Sequence, residues 1–431
     1  MYKILFISSI VIFSGCSKQL SVVYDKYRNP KPQPYAKNEP CNFTKTLQSI
    51  KNKNHVELLK HTEQGLINFY QGNYQQAARN MQSAINLYKR KYENSKLYDA
   101  TPISVAKLFT NIYLGEKYDK VFLHNYAALS YLFMGKVERA KIESRLAARF
   151  QNRARVSFET YKKRYHNYKN AKTISIYEKA FSEINPNHHP YANPFADYIF
   201  ALACAENNLY SNARSSIANA RRHMPNSAIL NTKYQQYSQG RNILSVELFF
   251  DVGQSPLKSE RREAMKMGNG DQRMAYLPSF DFFRNNISYI KILDKQNREV
   301  TRTSLLVDID AIKINEFREK LPSMLSLIGT QFTKEIAYFS SERQSSGWVE
   351  VLIKGLVATV GRPSQATWVT LPKKTLVASF IPKKEETYTM VAFSNADKEL
   401  DRKALNISKS SPTKNIYKYF TLKNENFCKA Q

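Results

Sequence analysis

Acidic residues are scarce: 36 Asp and Glu stand against 65 Lys and Arg, a formal charge of +29 over 431 residues. Such an excess favours anionic partners: lipid headgroups, lipopolysaccharide, cell-wall polymer or, least favoured, nucleic acid. A Lys-rich proteome would leave the same excess without any such partner. Cysteine is scarce too, with four residues at 16, 41, 204 and 428 whose spacings fit no zinc motif. No phosphate loop, Gly-rich dinucleotide turn, nucleophile elbow or HExxH motif occurs, so no cofactor and no metal are expected. Only one long apolar run is present, at the N-terminus, and it is too short to span a bilayer. What is abundant is core material: 42% of residues are hydrophobic and 13% aromatic, which excludes a disordered chain and supports two or more domains.

The apolar run has the order of a secretory signal. Met1-Tyr2-Lys3 is basic, Ile4 to Phe13 is apolar apart from Ser8 and Ser9, and Ser14-Gly15-Cys16 closes it with small residues. Cys16 after Ser-Gly resembles a lipobox cysteine, although Phe13 stands where Leu is usual. The expectation is a signal peptide over 1–15 and lipidation at Cys16. Ser17, in place of an inner-membrane Asp, resembles an outer-membrane lipoprotein facing the periplasm. Residues 16–45 then read as the lipidated N-terminus and a tether, with Asn29-Pro30-Lys31-Pro32-Gln33-Pro34 favouring polyproline II.

Between 46 and 240 apolar residues recur at helical spacing. Three segments also resemble one another: Gly65, Gly72, Tyr74, Ala77, Met81 and Ala84; Ala128, Tyr131, Gly135, Ala140 and Ala147; and Ala201, Asn208, Tyr210, Ala213, Ile217, Ala220 and Pro225. Small residues at these places let two antiparallel helices cross closely, which resembles the tetratricopeptide repeat. The units are not contiguous: Gly72 and Gly135 lie 63 positions apart, against a repeat of about 34. Segments around 90–118 and 152–194 must therefore pack as extra helices or loops. Cys204 falls at a core position of a first helix.

Residues 241–431 change character. Strand-like runs lie at 243–252, 287–293, 300–307, 374–381, 388–394 and 414–422, with a turn at Asp294-Lys295-Gln296-Asn297. Asp310 reads as the N-cap of a helix that runs to about 342 and is kinked at Pro322. Trp348 to Val360 reads as a further short helix. The whole is an α+β protein: a helical tetratricopeptide-like region followed by a mixed α+β domain.

Few constellations carry chemistry. Ser255-Pro256-Leu257-Lys258 has Ser-x-x-Lys spacing, but Pro256 inside the tetrad argues for a loop. Asp308 and Asp310 could hold a cation, though capping is the simpler role. His188-His189 lacks a third ligand. The most suggestive segment is basic: Arg145, Arg149 and Arg153 share one helix face, and Lys162, Lys163 and Arg164 then interleave with Tyr161 and Tyr165. These six cations are the partner-binding candidates, for an anionic polymer or lipid. The alternative is a solvated face whose arginines pair with Glu138 and Glu143. Cys41 and Cys428 lie in polar terminal segments, and export would permit a disulfide between them.

The order of segments resembles a family of envelope lipoproteins with tetratricopeptide-like repeats. The resembling pieces are Gly115 to Val121 with His124 and Tyr126, Gly135 to Arg145, Asp308 to Ile312, Leu321-Pro322, and Trp368 to Pro372. The resemblance implies a non-enzymatic scaffold or assembly factor that binds an envelope protein or peptide, with the concave face of the repeats as the expected site. The rivals are an enzyme or activator acting on peptidoglycan, with Asp308 and Asp310 in the enzyme's site, and a binder of anionic envelope polymer or lipid.

Overall fold

The computed structural model describes Cys41 and residues 57–90, 115–165, 181–182, 184, 191–266, 272–320, 365–383, 387–407 and 415–428. The signal peptide, most of the tether, His188-His189, Pro322 and the 348–360 segment lie outside the described residues.

Three helical hairpins come first: α1 (Glu57–Tyr70) with α2 (Tyr74–Tyr88), α3 (Lys117–Phe133) with α4 (Val137–Tyr165), and α5 (Phe195–Glu206) with α6 (Tyr210–His223). Their turns repeat one geometry. Gly72, Gly135 and Asn208 each adopt positive φ, at +76°, +69° and +58°. The next N–H in each case donates back to the first helix: Asn73 to Asn68, Lys136 to Tyr131 and Leu209 to Cys204, at 2.8, 2.8 and 2.9 Å. This left-handed cap satisfies carbonyls that the helix end would leave unpaired. Asn is the non-glycine residue best suited to it, so Asn208 stands in for the glycine of the other two units. Ala77, Ala140 and Ala213 follow one turn into each second helix and are fully buried, where helices cross closely. Successive hairpins stack, α2 on α3 and α4 on α5, and α7 (Ala228–Ser238) packs on α6. Ser227 caps α7 through Leu230 N–H.

Strands follow. β1 (Val246–Val252) lies in a five-stranded sheet of order β11-β10-β1-β7-β6, parallel to β10 (Ile416–Lys423) and antiparallel to β7 (Lys374–Phe380). β6 (Ser304–Asp308) and β11 (Asn426–Phe427) form its edges. A four-stranded antiparallel sheet has the order β5-β4-β8-β9, made of β4 (Ile287–Leu293), β5 (Glu299–Arg302), β8 (Thr387–Ser394) and β9 (Glu399–Asn406). β2 (Leu257–Lys266) and β3 (Gln272–Asp281) pair as a separate ribbon. The apolar run at 300–307 is thus two strands, not one. Thr303 is the crossing point: it exchanges hydrogen bonds with Ile290, and the chain then leaves one sheet for the other. Residues 309–320 form helix α8.

Alternation along β1 explains the layering. Val246, Leu248, Phe250 and Val252 enter the core between the two sheets, with Ile290, Ile292, Met390 and Ala392. Phe249 points the other way, into the core shared with the helices. The result is three layers: helices, five-stranded sheet, four-stranded sheet. The change near residue 240 separates helices from strands in sequence. It does not separate cores, because Phe249, Leu306, Trp368 and Val377 pack with Tyr126, Tyr198 and Leu202.

Candidate functional site

The face of the repeats expected to receive a partner is filled by the chain's own sheet. Phe69 of α1 stacks edge-on to Tyr419 of β10 at 4.6 Å, and Phe133 of α3 lies 6.0 Å from Tyr417. Polar contacts cross the same junction. Asp251 on β1 is fully buried and accepts from Tyr70 at 2.8 Å, Tyr126 at 2.7 Å and Thr375 at 2.6 Å. Glu247, four residues before it on the same face of β1, accepts from Tyr198 at 2.6 Å and Ser379 at 2.8 Å and pairs with Lys233 of α7 at 2.5 Å. Burial raises the Asp251 carboxyl above its ordinary range. Burial pushes Glu247 up as well, but Lys233 and its donors outweigh that and hold it down.

Two further carboxylates close the junction near α8. Glu63 of α1 accepts the N–H groups of Val369 and Thr370, at 2.5 and 3.1 Å, and burial raises its carboxyl to about 7. Glu316 of α8 accepts from Lys117 N–H at 2.9 Å and Tyr118 N–H at 3.2 Å, so it satisfies the free donors at the start of α3. Tyr191 donates to the same carboxylate, which burial raises.

A pocket beside this cluster is lined by Glu116, Tyr118, Lys258, Phe280, Lys313, Glu316, Phe317 and Lys320, with room for about one water. Glu116 is clasped by Lys258 at 2.6 Å and by Lys320. Burial opposes its charge, but the two ammonium groups prevail and lower it far below the carboxylate range. Lys313 donates to Ser255 Oγ at 2.7 Å and to the carbonyls of Pro256 and Trp368 at 3.2 and 3.3 Å. Burial lowers its ammonium to about 8. A Ser–Lys contact resembles a nucleophile and its base. Here Ser255 is 0% exposed, and the ammonium's three protons already have acceptors, so the geometry is that of a strut between α8 and two loops.

The sequence-derived candidates fall in different places. Cys16 is outside the described residues, as are the side chains of Lys162, Lys163 and Arg164, although their backbone belongs to α4. Arg145, Arg149 and Arg153 are exposed on α4. They are not paired with Glu138 and Glu143: Glu138 takes Lys141 at 2.7 Å, and Glu143 takes His124 at 2.6 Å. Arg145 instead lies over Phe200, and Arg153 over Phe150. Asp310 does not cap α8. Asp308 does, accepting Ala311 N–H at 3.0 Å, because the helix starts two residues earlier than its sequence implies. Asp310 pairs with Lys373, and burial raises its carboxyl to about 7. Ser255 and Lys258 are not partners: only Ser255 and Pro256 lie in a loop, Leu257 and Lys258 open β2, and Lys258 pairs with Glu116. Cys204 is buried and free, its thiol pushed up to about 11 by burial. The buried acids Glu63, Glu247, Asp251 and Glu316 escaped the sequence reading. Their one signal is a lone acid inside an apolar run, as in Val-Glu-Leu-Phe-Phe-Asp-Val.

Comparison with family descriptions, with curated proteins and with solved structures gives no match. Among the described residues, no group of three or more His, Cys, Asp or Glu could hold a metal ion, and no helix is long and apolar enough to cross a membrane.

Proposed function

We propose that the protein is an envelope lipoprotein, anchored through Cys16 to the outer membrane and facing the periplasm, that works as a non-enzymatic scaffold or assembly factor. The observation that carries this reading is the disulfide between Cys41 and Cys428. Such bonds persist in exported compartments, and this one begins 25 positions after the lipobox-like cysteine. Because the repeat groove is filled from within, the partner binds elsewhere. The surface best suited to a protein partner is the outer face of the four-stranded sheet. Tyr289 and Phe393 stack there at 5.3 Å, with Lys291 and Arg302 lying over the rings. Aromatic residues and Arg are the types enriched at interfaces.

Acyl labelling in cells tests the anchor: wild type should incorporate label and fractionate with membranes, and Cys16→Ser should do neither. Crosslinking in the intact envelope tests the scaffold. Tyr289→Ala with Phe393→Ala should lose the crosslinked partner without loss of fold. Labelling that survives Cys16→Ser would sink the anchor, and an unchanged crosslink pattern would sink the proposed face.

A further inference from the structure

Charge is segregated between the two helical rows. The inner helices α1, α3 and α5, which face the sheet, contain Glu57, Glu63, Asp119, Asp197 and Glu206 against Lys60, Lys117 and Lys120. The outer helices reverse this. α2 and α6 contain no acidic residue at all, and α4 carries nine Lys and Arg against three Glu. Two of those three, Glu138 and Glu143, are engaged by Lys141 and His124. Arg145, Arg149 and Arg153 are exposed, with Glu138 and Glu143 taken by other partners. A solvated helix normally intersperses both signs, so this row is unusual.

Aliphatic side chains lie among the cations. Ile142 and Val156 of α4 are 55% and 54% exposed, and Leu209, at the start of α6, is 39% exposed. Ile142, Arg149 and Val156 recur every seven residues, which sets them along one line of the helix, with Arg145 and Arg153 beside it. Apolar residues bracketing cations on one exposed face is the pattern of a helix lying in a bilayer interface, where headgroups meet the cations and acyl chains meet the aliphatics.

We propose that the outer helical row, α2, α4 and α6, rests on an anionic phospholipid surface through Arg145, Arg149, Arg153, Ile142 and Leu209. Charge complementarity carries the choice of occupant, and the exposed aliphatics favour lipid over a hydrophilic polymer. The inference rests on the proposed anchor only for which membrane is met. Contact with the bilayer is a property of the folded body and is measured without the acyl chains. The outer helical row and the outer face of the four-stranded sheet are on opposite sides of the three layers. Docking by one therefore leaves the other facing away from the membrane.

The test uses full-length Cys16→Ser protein sedimented with phosphatidylcholine vesicles, with and without phosphatidylglycerol, at low and physiological salt, and with purified cell-wall sacculi. Binding should require phosphatidylglycerol and weaken with salt. The triple variant Arg145→Gln, Arg149→Gln, Arg153→Gln should lose on the order of a hundredfold in affinity, about fivefold for each charge near the surface. Ile142→Ser with Leu209→Ser should lower the binding that remains at physiological salt. A charge-matched control, Arg284→Gln, Lys295→Gln, Lys398→Gln, alters exposed cations on loops of the strand region and should bind nearly as the parent does. Equal losses in both triple variants would show a net-charge effect and overturn the proposal. So would equal binding to neutral vesicles, or binding to sacculi but not to vesicles. An unchanged thermal transition in each variant excludes unfolding as the cause. A failure in acyl labelling would remove the anchor and leave these vesicle results standing.

Discussion

Cys41 and Cys428, 387 positions apart in sequence, are joined with their Cα atoms 5.3 Å from one another. The bond packs on Ile67 and Tyr70 of α1, and Tyr70 itself donates to Asp251 in the middle of the sheet. The pair thus closes a loop of most of the chain and fastens the end of β11 to α1.

Removing that link should be costly. Cys41→Ala with Cys428→Ala should lower unfolding stability by about 2–5 kcal/mol relative to the oxidised protein. Denaturant unfolding of both proteins measures this. The oxidised chain should also run faster than the reduced one on a non-reducing gel. Equal stability and equal mobility would mean that the bond does not form.

Stability should depend on pH in a direction set by Glu63 and Asp310. Glu63 is raised by burial from 4.5 to about 7, so between those values the native chain keeps a proton that the unfolded chain has lost. The native state binds more protons there, and stability falls as pH rises through that window and is level above it. The full change is roughly 3 kcal/mol for Glu63. Asp310, raised from 3.8 to about 7, adds slope of the same sign. Glu116 and Glu247 are held down and act in the opposite sense, but below about 4.5, outside this window. Chemical denaturation at pH 5 and pH 7.5 should show the more acid sample to be the more stable, and Glu63→Gln should reduce the difference, leaving the part due to Asp310. A wild-type curve rising with pH across this range would contradict the assignment.

The repeat turns allow a conformational test free of steric crowding. A methyl group placed on Gly72 or Gly135 would meet nothing within 4 Å, so Gly72→Ala and Gly135→Ala report only the cost of positive φ, about 1–2 kcal/mol each. Ala140→Leu, at a fully buried helix crossing, should cost about 1–3 kcal/mol by overpacking instead. Thermal or denaturant unfolding of the three single variants distinguishes the two effects. A neutral Gly135→Ala would remove the argument that the turn selects its residue.

Local patterns were legible because local physics sets them. The turn at Gly135, the alanine one turn later and the spacing of apolar residues all announce a helical hairpin. The charge-rich β9 and the β2–β3 ribbon were not legible. Glu-Leu-Asp-Arg-Lys-Ala-Leu-Asn alternates weakly, because an edge strand buries little. The parallel pairing of Val246 with Ile416 is likewise absent from any window of sequence, since nothing near either residue specifies the other. The polar junction was missed for a related reason. A lone Asp or Glu in a strand reads as a surface residue, and only the tyrosines of distant helices turn Asp251 into a buried acceptor. Arg145, Arg149 and Arg153 were legible as a stripe, but that α2 and α6 extend it without acids became visible only once the hairpins were stacked.

The position of β10 has a consequence for how the chain is made. It is inserted between β1 and β11 and covers Phe69 and Phe133 with Tyr417 and Tyr419. Yet Ile416 comes 170 positions after Val246, its partner in the parallel pair. During synthesis, which proceeds from the N-terminus, Phe69 and Phe133 are made long before the tyrosines that cover them. Until β10 has been made, these two rings therefore lack the cover of Tyr417 and Tyr419. Arrival of β10, followed by closure of Cys41 onto Cys428, covers the rings and then fastens that cover covalently.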